Sequence, residues 1–141
     1  MPAIVHLTEV TEATIDTQAM KELVSDPTTG AVVIFSGDVR DHDNGRAVIS
    51  LTYEGHPSAQ TVLKDVVNAF AANSGVTAIA AVHRLGVIPI GQAALVVAVG
   101  SAHRGDAFTA AAELVDLIKE KLPVWKHQFF ADGSDEWVNC A

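Results

Sequence analysis

The sequence has little cysteine, no long apolar run and few cations. Its single cysteine, Cys140, excludes a disulfide framework within the chain, which fits a reducing compartment. No apolar stretch approaches the roughly 18 residues that a membrane span needs. The segment from Met1 to His6 lacks the basic region and long apolar segment of a secretory signal. We therefore expect a cytoplasmic protein outside the membrane, with Cys140 as a terminal bystander rather than a nucleophile.

Positive charge is scarce. The chain carries 9 Lys and Arg against 17 Asp and Glu, which gives a net charge of -8 at pH 7 with neutral histidines. Nucleic acid is not expected as a partner, because neutralising phosphates requires a basic face. Several of these few cations fall within residues 100–127, so this segment is expected to attract a small anionic molecule.

The pattern of apolar residues predicts a mixed fold. The 141 residues, 49% of them hydrophobic, suffice for a single domain with a sizeable core, spanning residues 1–141. Strands are predicted at 3–8, 31–39, 47–54, 76–85, 94–98, 124–130 and 136–139. Three helices lie between them, the first capped by Thr14 or Asp16 and the second beginning at Pro57. The order β-α-β-β-α-β-β-α-β-β does not alternate strictly, which favours an α+β fold with mixed sheets.

The third helix is expected to follow residues 100–105 and to end before Pro123, which cannot continue a helix. His103 and Arg104 precede or begin it, beside free backbone N–H groups that suit a phosphate or carboxylate. The plainer interpretation is that His103 and Arg104 are solvated side chains on a surface helix. Four residues at helical spacing are expected to face the core: Phe108, Ala111, Val115 and Ile118.

Two lysines bracket the proline that ends this helix. Lys119 precedes Pro123 and Lys126 follows it, so the turn is expected to bring both amines into one pocket against Trp125. Arg40, in the polar loop 37–46, is expected to close the same pocket around an anion. Such amines act as acid–base or covalent groups or, when charged, stabilise developing negative charge.

Other chemistries fit the residues less well. Ser101, His103 and Asp106 lack the G-x-S-x-G turn, and Ser101 and His103 are spaced so that their side chains do not face each other. No phosphate-loop motif occurs. We expect no metal, because none of the candidate groups has the spacing of a known zinc pattern. Those groups are Asp41, His42 and Asp43, or His56, His83, His103 and His127.

The chain resembles the large, catalytic subunit family of molybdopterin synthase. The likeness spans about residues 30–138, and the combination of Ser101-Ala102-His103-Arg104 with Lys119-x-x-x-Pro123-x-Trp125-Lys126 is specific to that family. The other matching pieces are Gly37-x-Val39-Arg40, Leu51-x-Tyr53-Glu54, Val82-His83-Arg84-Leu85-Gly86, Gly91, Phe108 and Trp137-Val138.

This resemblance implies a fold, a reaction and partners. The fold is an α/β-hammerhead with an additional antiparallel β-sheet. The reaction inserts two sulfurs into cyclic pyranopterin monophosphate, which forms the dithiolene of molybdopterin. Sulfur arrives as a thiocarboxylate on the C-terminal Gly-Gly of a small ubiquitin-like carrier subunit. The large subunits form a homodimer with a carrier at each end, a heterotetramer. No cofactor is implied.

The resemblance also implies site residues. Lys119 and Lys126 match the lysines implicated in catalysis, and both also contact substrate. The remaining substrate-binding positions are Asp38, Val39, Arg40, His103, Arg104, His127 and Gln128. Gln128 stands where many relatives have an acid, and Asp38 is acidic where relatives often are not. The tail after Trp137 is shorter than in some relatives.

Two rival functions follow from the same residues. A non-catalytic module would use the pocket to bind a phosphorylated metabolite, without turnover and without affinity for a Gly-Gly-tailed carrier. A lysine-dependent lyase would form a covalent adduct between Lys119 and its substrate.

Overall fold

The computed structural model describes residues 2–139, so the prediction for Cys140 lies outside the described residues. The helices in this range are α1 (Thr17–Leu23), α2 (Ala59–Ala71) and α3 (Arg104–Lys121). The strands are β1 (Ile4–Thr11), β2 (Ala31–Asp38), β3 (His42–Asp43), β4 (Arg46–Gly55), β5 (Ala78–Arg84), β6 (Gly86–Val87), β7 (Ala93–Ser101), β8 (Val124–Phe130) and β9 (Asp135–Val138). None of the three helices is long and apolar enough to cross a membrane.

The first sheet has the order β1-β5-β7-β2, with β1 and β5 parallel and the other pairs antiparallel. Helices cover both of its faces, which explains the nearly continuous apolar sequences of β5 and β7. Ile79 and Ala81 face the core shared with α2 and α3, whereas Ala80 and Val82 face α1. On that second face, α1 contributes the buried Met20.

The second sheet has the order β3-β4-β8-β9, with β6 paired to the side of β4. Strands β4 and β8 are antiparallel, so Tyr53 lies opposite Lys126 and Leu51 lies opposite Gln128. Since alternate residues of a strand share a face, these four side chains point to the same side of the sheet. That side meets the core shared with α2 and α3, to which Leu51 and Tyr53 belong.

The predicted α+β fold with mixed sheets is confirmed, and the order of elements is correct apart from β3 and β6. Each of these has two residues, too few to form a periodic pattern. Of the two caps predicted for α1, Thr14 and Asp16, the structure has Asp16, whose carboxylate accepts a hydrogen bond from the Ala19 N–H at 3.0 Å. The prediction that Pro57 begins α2 is wrong, because Ser58 is the N-cap and the helix begins at Ala59.

Helix α3 ends as its sequence predicts. Leu122 is extended, with ψ of 122°, as expected for a residue before proline. Ala111, Val115 and Ile118 are buried, but Phe108 is 61% exposed. The prediction that Phe108 packs on the core of this chain is therefore wrong. Ala107 and Ala110 face the sheet instead, which lets α3 approach it closely.

Candidate functional site

A polar cavity of about 290 Å³ lies between the two sheets, at the C-terminal end of α3. Its apolar lining comes from Gly37, Val39, Leu51, Ala94 and Leu95. Its polar lining consists of Asp38, Arg40, His42, Tyr53, Lys119, Lys126 and Gln128. Three cations meet in one cavity of a chain with net charge -8, an arrangement that suits an anion.

Backbone hydrogen bonds fix the segment that carries Arg40. The Val39 N–H donates to the Gln92 carbonyl at 3.0 Å, and the Gly91 N–H donates to the Val39 carbonyl at 2.8 Å. Val39 itself is buried. Asp38 and Arg40 therefore flank an anchored residue, Val39, at the end of β2, and both line the cavity.

The turn at Pro123 brings the two lysines together. Lys119 lies in the last turn of α3, and the chain then reverses into β8, which carries Lys126. The Pro123 carbonyl accepts a hydrogen bond from the His56 N–H at 2.9 Å, which fixes the turn. The predicted convergence of Arg40, Lys119 and Lys126 is thus observed. Trp125 does not line the cavity, because adjacent residues of a strand point to opposite faces.

The same alternation separates Gln128 from His127. Gln128 is buried and lines the cavity. The His127 side chain lies on the other face, where its Nε2 is 2.6 Å from an Asp135 carboxylate oxygen and its ring stacks on Trp137 at 4.0 Å. The His127 side chain therefore does not line this cavity, and its expected contact with substrate stays a prediction.

Asp43, which the sequence analysis considered only as a candidate metal ligand, is a neighbour of the site. Gln128 Nε2 donates to one of its carboxylate oxygens at 2.8 Å, and Arg40 Nη2 lies 3.6 Å from the other. The hydrogen bond from Gln128 lowers the pKa of Asp43, with the charges of Lys126, Arg40 and Arg46 adding to the effect. An acid therefore stands beside Gln128, although position 128 itself is not acidic.

The sequence contains a turn signal directly after Asp43. Asn44 and Gly45 follow it, a dipeptide typical of a two-residue hairpin turn. The structure has φ of 50° and 74° at these positions, and Asp43 pairs with Arg46 across the turn. The loop predicted at 37–46 thus contains a tight hairpin.

His103 and Arg104 lie at the opposite end of α3 from Lys119. Arg104 and Lys119 are fifteen positions apart on the helix, a distance of about 22 Å along the axis. Both side chains are exposed, and neither lines the cavity. Within one chain the structure therefore does not bring them together with Arg40, and their expected contact with substrate stays a prediction.

Tyr53 lines the cavity and His83 packs behind it, and sequence reasoning gave neither of them a role at the site. Tyr53 lines the cavity, and the His83 ring packs edge-on against it with 4.9 Å between ring centroids. His83 is fully buried, and its Nδ1 lies 2.8 Å from the Arg84 carbonyl oxygen. Burial and the charge of Lys119 lower the pKa of His83 to about 4.

The rival chemistries gain no support from the geometry. In residues 2–139, no three His, Cys, Asp or Glu side chains are placed to hold a metal ion. Ser101 is buried at the end of β7, where it is inaccessible to a substrate.

Comparison with known proteins identifies the family of this chain. The sequence profile described as MoaE protein matches residues 10–121. This chain belongs to the MoaE family. The catalytic subunit of molybdopterin synthase from Aspergillus fumigatus is 40% identical over 134 residues, which are 94% of this chain and 71% of that relative.

Solved structures agree with this membership. The crystal structure of molybdopterin synthase from Staphylococcus aureus has a TM-score of 0.84 and 31% identity, over 94% of this chain and 96% of that one. A complex of subunits 1 and 2 of molybdopterin-converting factor from Helicobacter pylori has a TM-score of 0.71, over 93% of this chain and 88% of that one. At 20% identity, the second likeness concerns the fold alone.

Proposed function

We propose that this MoaE-family chain is the catalytic subunit of a molybdopterin synthase. It transfers sulfur from the C-terminal thiocarboxylate of a small ubiquitin-like carrier to cyclic pyranopterin monophosphate, which forms the dithiolene of molybdopterin. The observation that carries this proposal is the convergence of Arg40, Lys119 and Lys126 in one cavity of an acidic protein.

Each cation has a role that suits its position. The Arg40 guanidinium binds the substrate phosphate, since its planar fork matches phosphate oxygens. Lys126, on the rigid strand β8, orients the pterin. Lys119 lies beside the carrier's carbonyl carbon. The thiocarboxylate sulfur attacks the pterin and forms a thioester. When water then adds to the carbonyl carbon, negative charge develops on the carbonyl oxygen, and an ammonium group there stabilises it. Cleavage of the acyl–sulfur bond releases the carrier as a carboxylate and leaves the sulfur on the pterin.

Asp38, Val39 and Gln128 complete the proposed binding surface within one chain. Gln128 is held by Asp43, so its amide is oriented before substrate arrives. The buried Val39 supplies an apolar contact for the ring. Preorganised polar groups of this kind fix the orientation of a ligand in a mostly apolar site.

The proposed partner is a small carrier subunit whose tail enters the cavity. A Gly-Gly terminus enters a cavity more easily than other residues, because glycine has no side chain. The Helicobacter structure with the same fold contains a second subunit. The proposal further includes a cytoplasmic setting and the α/β-hammerhead description of the fold.

A second copy of this chain is proposed to complete the site. An apolar groove runs between β2, an edge strand of its sheet, and α3, and it contains Val33, Phe35, Ala112 and Val115. Phe108 projects into solvent from the same helix. Packing a second copy here would cover these apolar groups, and in the resulting homodimer His103 and Arg104 would serve the cavity of the partner subunit. With two carriers, the assembly is a heterotetramer.

One assay separates this function from its rivals. The purified protein is mixed with thiocarboxylated carrier and the pyranopterin, and formation of the dithiolene product is measured. A molybdopterin synthase subunit gives product and captures the carrier. A non-catalytic binding module would bind the pterin without turnover or carrier capture, whereas a lyase would leave a Lys119 adduct that borohydride traps.

A further inference from the structure

Arg84 is a buried cation that none of the roles assigned above uses. It is the last residue of β5, and only 9% of its surface is exposed. Its Nε is buried without a hydrogen-bond partner among residues 2–139, and no ion pair in this range includes its guanidinium. A buried guanidinium with an unpartnered donor destabilises a fold, so a contribution to stability does not explain this residue.

The Arg84 side chain holds the turn that precedes β7. Its Nη1 donates to Oε1 of Gln92 at 2.6 Å, a charge-assisted hydrogen bond. The turn begins at Pro89, whose carbonyl accepts a hydrogen bond from the Gln92 N–H at 3.1 Å, and Gly91 within it has φ of 88°. All four residues of the turn are exposed, so packing contributes little to its placement. The contact with Arg84 is the side-chain hydrogen bond that ties the turn to β5.

The same turn fixes the segment that carries two cavity residues. The Gln92 carbonyl accepts from the Val39 N–H at 3.0 Å, and the Val39 carbonyl accepts from the Gly91 N–H at 2.8 Å. Asp38 and Arg40, on either side of Val39, line the cavity. The register of the β2–β7 pair shifts directly before Asp38, so the regular ladder is interrupted here. The position of this segment therefore depends on the turn.

We propose that Arg84 is a positioning residue for the cavity, and that its hydrogen bond to Gln92 holds the segment 38–40 and so fixes where the Arg40 guanidinium meets an anion. The consequence for binding the substrate phosphate rests on the proposed function. The ordering of Val39 by Arg84 does not, and it can be measured without substrate.

Three substitutions isolate the hydrogen bond between Arg84 and Gln92. Arg84→Met keeps a long unbranched side chain without a donor, and Gln92→Leu removes the acceptor. Gln92→Glu is the matched control, because it keeps an oxygen acceptor of the same reach. Arg84→Met and Gln92→Leu remove one bond from its two ends, so their effects should not add when both are combined.

The first readout is the rate at which the Val39 amide proton exchanges with water, measured by NMR without any ligand. The Leu85 N–H, which donates to the Thr11 carbonyl at 2.7 Å, is the reference within β5 and β1. We expect exchange at Val39 to accelerate about tenfold relative to Leu85 in Arg84→Met, as for loss of one hydrogen bond to a charged group. Gln92→Leu and the double variant should show the same increase, and Gln92→Glu should stay near wild type.

The second readout is the kinetics of sulfur transfer. A displaced Arg40 binds the phosphate less well, so the KM for the pyranopterin should rise about tenfold in Arg84→Met and Gln92→Leu. The kcat should stay within about twofold of wild type, because Lys119 lies on α3, outside this set of hydrogen bonds.

Three results would overturn the proposal. One is an unchanged Val39 exchange rate in Arg84→Met and Gln92→Leu, and another is additive effects in the double variant. The third is a parallel rise at Val39 and Leu85, which would indicate a general loosening of the sheet. If Arg84→Met does not fold, the comparison of Gln92→Leu with Gln92→Glu decides alone. Faster exchange at Val39 with an unchanged KM would contradict the phosphate-binding role of Arg40, whereas the positioning by Arg84 would stand.

Discussion

The buried His83 imidazole makes the stability of the folded chain depend on pH. Its pKa is lowered from 6.5 to about 4, mainly because burial penalises the charged ring. Between these values the unfolded chain binds a proton that the folded chain does not. The free energy of unfolding is therefore highest above pH 6.5 and falls as pH falls towards 4, by about 3 kcal/mol at most.

Urea unfolding followed across this range measures the effect. The wild-type chain is expected to lose stability from about pH 6.5 downwards, and His83→Phe is expected to lose this slope because it has no titrating ring. Asp26, Asp43 and Asp132 also have a lowered pKa, but they destabilise the fold only as pH falls below their ordinary value of 3.8. Equal slopes in the wild type and His83→Phe would contradict this account.

The hairpin between β3 and β4 is the element that positions Asp43 and, through it, Arg40. Gly45 at its tip has φ of 74°, which an L-residue adopts at a cost of about 1 to 2 kcal/mol. We expect Gly45→Ala to lower the stability and to weaken substrate binding several-fold, because the hairpin shifts the carboxylate that holds Arg40 and Gln128.

Gly75 provides a matched control for this substitution. Its φ is 71° and, as at Gly45, an added Cβ meets no atom within 4 Å. Gly75 lies between α2 and β5 and does not line the cavity, so Gly75→Ala should lower the stability by a similar amount without changing the KM for the pyranopterin. An equal change of KM in both variants would show that the hairpin has no specific role.

At the scale of secondary-structure elements, most helices and strands could be predicted from the sequence. Their apolar periodicity is strong wherever an element packs on the core, as in β5 and α2. The predictions are wrong where tertiary packing, and not apolar periodicity, determines which residues are buried or paired. Phe108 has the spacing of a core residue, yet the adjacent alanines let α3 approach the sheet on a neighbouring face. The two-residue strand β6 exists only because β4 lies beside it.

At the scale of the whole molecule, one chain holds only part of the predicted site. Arg104 lies about 22 Å along α3 from Lys119, so both serve one reaction only if each cavity is shared between two copies. Lys119→Ala and Arg104→Ala are each expected to be inactive alone. Mixed after unfolding and refolded together, they should form heterodimers in which one cavity is intact, and sulfur transfer should return.

Mixing two different variants of the same cavity provides the control. Lys119→Ala mixed with Lys126→Ala should stay inactive, because both residues line one cavity of one chain. Recovery in the first mixture and none in the second supports the composite site. If neither mixture recovers, His103 and Arg104 have no role in the cavity of a second copy.

The composition of the cavity was only partly predictable. Lys119 and Lys126 are close in sequence and were expected to converge through the proline turn, whereas Arg40 is far from both in sequence and was expected there from its polar loop and the family resemblance. The direction of His127 follows from strand alternation once the bounds of β8 are known. How far His103 and Tyr53 lie from the cavity does not follow from any local pattern, because it depends on how whole elements pack.

The central claim is that the ammonium of Lys119 stabilises the charge that develops during sulfur transfer. Single-turnover formation of the dithiolene from thiocarboxylated carrier and pyranopterin tests it most directly. Lys119→Ala is expected to lower the rate by about 100-fold or more, as for loss of one preorganised charge-stabilising group. Lys121→Ala, which removes an exposed lysine from the same helical turn outside the cavity, should keep the wild-type rate. A wild-type rate in Lys119→Ala, or equal losses in both variants, would contradict the account.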